Sequence, residues 1–247
     1  GAVRSMGAAE IAAWQAMRAE LDLYPVVGHL PYTVNLAARQ EETRAFATRV
    51  LREDLARALE YGADYLVVHP GSHGGDGVEA GCERIARSLA EALEGGAGRV
   101  TLLLETMAGQ GTEVGFAPAH LGRIIDLLGR PPNLGVCLDS CHLFAAGYDL
   151  RRTEGIDALL EELDRAVGLE RVAALHLNDS KVPLGGRRDR HELLGRGHLG
   201  EEGLRTLLGH PFIRTLPWLI ETTVEDYLDY ADEIRRAREL AGLPAAG

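Results

Sequence analysis

Six apolar runs in this chain of 247 residues each stop at one side chain able to bind a metal ion. Residues 24–28 run into His29, 65–68 into His69, 100–104 into Glu105, 135–138 into Asp139, 172–175 into His176 and 218–220 into Glu221. A short uninterrupted apolar run reads as a strand buried on both faces, the usual condition of parallel strands. Its terminal polar residue then points into a site at the C-terminal edge of the sheet. Taken singly, a strand-end histidine or carboxylate is more often a hydrogen-bonded core residue than a ligand. Here His142 follows Asp139 by three residues, and Asp189 and His191 stand two apart, so nine such groups accumulate. Buried without a common partner, each would be costly. A metal centre supplies that partner. Nine donors exceed what one four- or five-coordinate ion uses, so two or three ions are expected.

The run ends lie 34 to 45 residues apart, a spacing suited to strand–helix units. Between them, helical periodicity marks residues 39–62, 78–93, 118–128, 156–167 and 225–240, with shorter helices near 7–21 and 201–208. In 39–62, Phe46, Val50, Leu51, Leu55 and Leu59 are expected to form one apolar face, and Gly62 and Gly129 to end helices. Alternating elements predict an α/β fold with a parallel sheet. Polar residues at six strand ends fit a TIM-type (β/α) barrel, one domain over residues 1–247. An open doubly wound sheet would place its site at a single switch point. No G-x-G-x-x-G or P-loop is read as following a strand, so no dinucleotide or NTP cofactor is expected. No apolar run reaches the roughly 18 residues of a membrane span, and residues 1–20 carry no cleavage pattern. Cys82, Cys137 and Cys141 lack paired spacing and read as reduced thiols rather than disulfides or ligands. A cytoplasmic monomer with no protein partner is the expectation.

The formal charge of −11 argues against a general nucleic-acid binder. Three divalent ions would offset more than half of it, however. Arg187, Arg188, Arg190 and Arg196 surround Asp189 and His191 as a phosphate-facing rim. Lys181, the one lysine of the chain, follows the His176 run and is another candidate phosphate contact. Mixed His and carboxylate donors suit catalytic zinc, or manganese, more than a structural ion. Such ions lower the pKa of bound water and neutralise an anionic substrate. Phosphate ester hydrolysis is the reaction that most needs several side by side.

The runs His69-Pro70-Gly71-Ser72-His73, Glu105-Thr106-Met107-Ala108-Gly109-Gln110-Gly111, Cys137-Leu138-Asp139-Ser140-Cys141-His142, His176-Leu177-Asn178-Asp179-Ser180-Lys181 and Arg188-Asp189-Arg190-His191 together resemble endonuclease IV. The segment Gly195-Arg196-Gly197-His198-Leu199-Gly200 continues the match, which runs from about Ile11 to the last helix. The resemblance implies a trinuclear zinc TIM barrel acting on double-stranded DNA. It would hydrolyse the phosphodiester 5′ to abasic or damaged sites, leaving a 3′-hydroxyl and a 5′-deoxyribose phosphate. On matching positions it implies a first zinc on His29, His69 and Glu105. Glu105, catalytic by this reading, would bridge to a second on Asp139, His176 and Glu221, and His142, Asp189 and His191 would hold the third. It further implies DNA contacts at Tyr32 and Gln110, beside those assigned to Lys181 and Arg188. Thr106 and His198 depart from the family, which usually has Asn at both positions. His73, His120 and His210 read as solvent-facing or capping residues.

Two other readings are open. A sugar isomerase or epimerase on the related barrel also sets strand-end Glu, Asp and His around a divalent ion. About four donors suffice there, which leaves His29, His142, Asp189 and His191 surplus. An inactive DNA-damage binder would have lost a ligand, and none of the nine is missing. Only 28 residues precede His29, holding one helix and a short strand. The family begins with a further strand, helix and strand. The chain is therefore expected to lack the first βαβ of the eight-stranded barrel and to form an open six-stranded sheet with two unpaired edges. Lower stability and weaker DNA affinity are expected than in a chain extended by roughly 40 to 60 residues, about one to two βα units.

Overall fold

In a computed structural model, which describes residues 6–94 and 98–244, the apolar runs become the strands of one parallel sheet. In chain order, α1 (Ala8–Glu20) leads to β1 (Val27–His29), α2 (Glu41–Tyr61) to β2 (Tyr65–Val68), α3 (Val78–Leu93) to β3 (Thr101–Glu105) and α4 (Pro118–Leu127) to β4 (Leu134–Asp139). Helices α5 (Ser140–Ala146) and α6 (Thr153–Ala166) precede β5 (Val172–His176). A ribbon of β6 (Asp179–Ser180) and β7 (His191–Glu192) and helix α7 (Gly200–Gly209) precede β8 (Trp218–Leu219), and α8 (Tyr230–Leu240) follows. The sheet order is β1-β2-β3-β4-β5-β8, all parallel, and β6 and β7 pair antiparallel apart from it. Among the described residues β1 and β8 each have one neighbour, so the six strands form part of a TIM-type barrel that stays open.

Strand alternation explains why the polar ends converge. Leu66 and Val68, Leu102 and Leu104, Val136 and Leu138, and Leu175 join the main core beneath the helices. Val67, Leu103, Cys137 and Ala174 form a separate cluster on the opposite, inner face. Side chains two apart share a face. His69, Glu105, Asp139 and His176 each stand two residues beyond a member of that inner cluster. They cap it at the C-terminal end.

Several local readings shift. Helix α2 buries Ala47, Thr48, Leu51, Leu55 and Ala58, whereas Phe46 and Leu59 are exposed. Leu51 and Leu55 thus share the buried stripe with small residues on either side of them. Phe46 lies on its flank, where the Arg49 guanidinium sits 5.3 Å from its ring. The first strand begins at Val27 rather than Tyr24, which is exposed. Cys141 and His142 lie in helix α5 rather than a turn, because Asp139 caps it: its Oδ1 accepts the His142 N–H at 2.6 Å. The last helix starts at Tyr230, after a 3-10 turn over Tyr227–Asp229. Gly62 and Gly129 do end helices, with φ of 78° and 72°. All three cysteines are free and buried. No helix among the described residues is long and apolar enough to cross a membrane.

Candidate metal centre

Glu105 sits fully buried at the middle of the inner face. Its Oε2 lies 2.9 Å from His29 Nε2 and 3.1 Å from His69 Nε2. Its Oε1 lies 3.1 Å from His176 Nδ1 and 3.3 Å from His142 Nδ1. One carboxylate therefore faces two groups of imidazoles with its two oxygens. His176 Nδ1 is also 3.0 Å from Glu221 Oε2. Asp189 Oδ1 lies 3.3 Å from both His142 Nε2 and His191 Nε2, and His191 Nε2 is 3.7 Å from Asp139 Oδ2. Three donor sets result, each with ligand atoms within 4.8 Å of one another: His29, His69 and Glu105; Glu105, Asp139, His176 and Glu221; His142, Asp189 and His191. All nine sequence candidates fall within them, and Glu105 is shared by two. Two overlapping sets join His29 with His176 and Glu221, and Asp139 with Cys141 and His191.

The donors fit metal ions. Nε2 of His142 and of His191 are buried without a hydrogen-bond partner, a state a native structure avoids unless something else satisfies them. Burial pushes the thiols of Cys137 and Cys141 up to about 11 and about 12, which keeps them protonated and leaves imidazole and carboxylate as donors. Burial opposes the charge on Glu105, yet His176, His142 and His29 hold its carboxyl well below the ordinary range. Burial likewise disfavours the charged form of His142, but Asp139, Asp189 and Glu105 raise it well above the usual imidazole value. His176 is raised against burial by Glu105, and His29 by Glu105 and Glu221. Burial opposes ionisation of Asp189 as well, but His142 and His191 bring it down to about 2. Without ions, the neighbouring carboxylates favour the protonated form of His142 and His176, and an ion must displace those protons.

A second layer orients these donors. Thr106 Oγ1 accepts the Asp139 N–H at 2.8 Å, and its carbonyl lies 2.8 Å from His142 Nδ1. Asn178 Nδ2 donates to Asp139 Oδ2 at 2.7 Å, while its Oδ1 accepts the Glu221 N–H at 3.1 Å. Ser140 Oγ bonds the carbonyl and N–H of Asn178 at 2.7 and 2.9 Å. A cavity of about 340 Å³ opens above the cluster, lined by donors of the cluster and by Leu30, Pro31 and the exposed Tyr32.

Residues 2–241 match the family described as xylose isomerase-like TIM barrel. The probable endonuclease 4 of Moorella thermoacetica is 47% identical over 241 residues, 97% of this chain and 86% of that one. That of Heliobacterium modesticaldum is 48% identical over 234 residues, 95% of this chain and 83% of that one. The chain belongs to the endonuclease IV family. The crystal structure of endonuclease IV from Thermus thermophilus has a TM-score of 0.84 at 35% identity, covering 98% of this chain and 84% of that one. A D-tagatose 3-epimerase-like protein at 21% identity, with a TM-score of 0.69 and coverage of 96% and 85%, shares the fold.

Around the centre of this endonuclease IV family member, Tyr32 is 82% exposed at the cavity mouth. Gln110 is exposed, and its Oε1 accepts the Asp189 N–H at 3.3 Å, which ties it to the loop that carries two of the candidate donors. Lys181, Arg188 and Arg196 are exposed and join no ion pair among the described residues. Arg187 stacks 4.7 Å from the Phe116 ring, and Arg190 bonds the Asp189 carbonyl. His73 Nδ1 accepts the N–H groups of Gly75 and Gly77 at the start of α3. His120 is held by Gly115 and Phe116, and His210 by Asp157. His198 is exposed.

One sequence reading is corrected. Gly195-Arg196-Gly197-His198-Leu199-Gly200 has the G-x-G-x-x-G spacing and does lie between a strand, β7, and a helix, α7. Its N–H groups converge on an anion, as in a dinucleotide site, but the anion is the chain's own Asp179 carboxylate. The roles of Thr106, Ser140, Asn178 and Asp179 escaped sequence reading. The available signal was a run of polar residues directly after the His176 strand, where a loop would normally turn to solvent.

Proposed function

We propose that this protein is a zinc-dependent phosphodiesterase that cleaves double-stranded DNA 5′ to abasic sites. The observation that carries the reading is the junction of three donor sets, two of them sharing Glu105, beneath one open cavity. Three zinc ions per chain satisfy nine ligands of this type. Bound there, they supply Lewis acidity toward phosphoryl oxygens and a nucleophile at neutral pH. Glu105 keeps its donor groups in register by presenting one oxygen to each side. Thr106 and Asn178 fix the rings and carboxylates behind it. Lys181 and Arg188 contact backbone phosphates on the rim, and Gln110 holds the Asp189 loop against them. Tyr32 faces the extruded nucleotide, whose missing base makes flipping cheap. In the hydrolysis, water oxygen bonds to phosphorus and the bond from phosphorus to the upstream O3′ breaks. That oxygen takes up a proton, leaving a 3′-hydroxyl and a 5′-deoxyribose phosphate. A one-ion epimerase gives no use to the assembled His142, Asp189 and His191 set.

The test is incubation of the zinc-loaded protein with a duplex carrying one abasic site, with the intact duplex as control. A single nick with a 3′-hydroxyl terminus is expected. No cleavage, or equal cleavage of the intact duplex, overturns the reading.

A further inference from the structure

Asp179 has no exposed surface and meets no cationic side chain in an ion pair among the described residues. A buried carboxylate in that position needs dense hydrogen bonding. It has it. Oδ1 accepts from the N–H groups of Ser180 at 2.7 Å and Leu199 at 2.9 Å. Oδ2 accepts from Gly195 at 3.1 Å, Gly197 at 2.9 Å and Gly200 at 3.2 Å. The glycine-rich loop is wrapped around this one side chain. Gly197 has no room for a side chain, because a Cβ would lie 2.4 Å from both Asp179 Oδ1 and the Ser180 carbonyl.

The loop continues from β7, which carries His191 and follows Asp189. That ribbon pairs only Asp179 with Glu192 and Ser180 with His191, extended by Lys181 N–H to Arg190 carbonyl at 2.9 Å. So short a two-stranded pairing has little stability of its own. His198 N–H donates back to the Ser180 carbonyl at 2.8 Å, and Leu194 N–H donates to Glu233 on α8 at 3.0 Å. The Asp179 carboxylate thus binds both ends of the segment, residues 180–195, that carries two of the three donors of the His142, Asp189 and His191 set. On the far side, β6 follows Asn178, which is fixed to Asp139.

We propose that Asp179 is a positioning residue whose carboxylate, by gathering the N–H groups of the 195–200 loop, sets the His142, Asp189 and His191 ion site. The proposal rests on the trinuclear reading for the ion but not for the loop. It also assigns the G-x-G-x-x-G run an internal anion, so that segment does not cradle substrate phosphate.

The experiment compares the full chain with D179N, G197A and D189N. D179N removes an acceptor. G197A crowds the carboxylate without changing charge. D189N deletes a donor directly. Zinc per chain is measured after dialysis against graded chelator, and amide hydrogen exchange is followed along the chain. D179N and G197A are expected to keep parental protection in β2 to β5 and lose it over residues 189–200. Each should release one ion at a dissociation constant about tenfold or more weaker, as D189N does, while the other two ions stay. Unchanged protection at 189–200 in folded D179N or G197A overturns the proposal, as does simultaneous loss of all ions. A parent that takes up fewer than three ions defeats the functional reading instead, and exchange at 189–200 still decides the role of Asp179.

Discussion

Asn178 offers a sharp test of how the second layer holds the centre. It is fully buried and joins two members of one donor set, donating to Asp139 Oδ2 at 2.7 Å and accepting from Glu221 N–H at 3.1 Å. Asn178→Ala removes a bond to a charged acceptor, about 1.5–3 kcal/mol, and orphans a largely buried N–H, about 1–3 kcal/mol. A loss of about 3–5 kcal/mol is expected in the ion-free protein, a large share of a typical domain's stability. Asn178→Asp keeps the shape and the acceptor but sets a second carboxylate 2.7 Å from Asp139. At an effective dielectric of about 20, that repulsion reaches roughly 6 kcal/mol before proton uptake relieves it. The order of stability in chelator at pH 8 should therefore be parent, then Ala, then Asp. Zinc should narrow the deficit of the Asp variant, since nearby cations offset the added charge. Urea unfolding of the three proteins, with chelator and with zinc, measures both gaps. An Asp variant as stable as the parent in chelator at pH 8 would refute the reasoning, because the two carboxylates would then not be in contact.

Elemental analysis of the purified protein should give about three zinc ions per chain, and chelator should abolish cleavage; one ion or none in active protein contradicts the cluster. Zinc uptake at pH 7 should release protons, because His142 and His176 are raised far above the usual imidazole value in the ion-free state and hold protons that zinc must displace. Apparent affinity should then weaken as pH falls; titration heats that do not depend on buffer ionisation would rule this out. Glu105→Gln should lower turnover far more than DNA affinity, whereas Arg188→Ala or Lys181→Ala should weaken DNA binding and reduce its salt slope by about one each. Equal losses of turnover alone in all three variants would show that this division of labour is wrong.

The strand ends were readable because two periodicities coincide. A run such as Leu102, Leu103, Leu104 marks a strand buried on both faces, and alternation then fixes Glu105 on the same side as Leu103. Helix α5 was hidden because its N-cap, Asp139, is also a ligand candidate, and its seven residues are too short for a periodic signal. The face of α2 was only partly read, because Phe46 and Leu59 were counted for their size while Ala47, Thr48 and Ala58, which are buried, were passed over. For Asn178 and Asp179 the only signal was a polar run directly after a strand. Polar residues after a strand ordinarily face water, and only the return of residues 195–200 and 221 buries these two. The same return turns a nucleotide-binding spacing into a purely internal contact.

Strands β1 and β8 are the two margins of the sheet and exchange no ladder hydrogen bonds. Yet His29, which ends β1, and Glu221, just past β8, have ligand atoms within 4.8 Å of each other and of His176. At this rim the sheet is nearly a ring, with its gap spanned by side chains. Ions held on the two donor sets that share Glu105 would act together as a buckle, closing a loop that runs from residue 29 to residue 221. Loop closure of that length carries a large entropic cost, which coordination would hold fixed in the folded state. Withdrawing those ions should loosen the protein first at its two margins, long before the strands between them part.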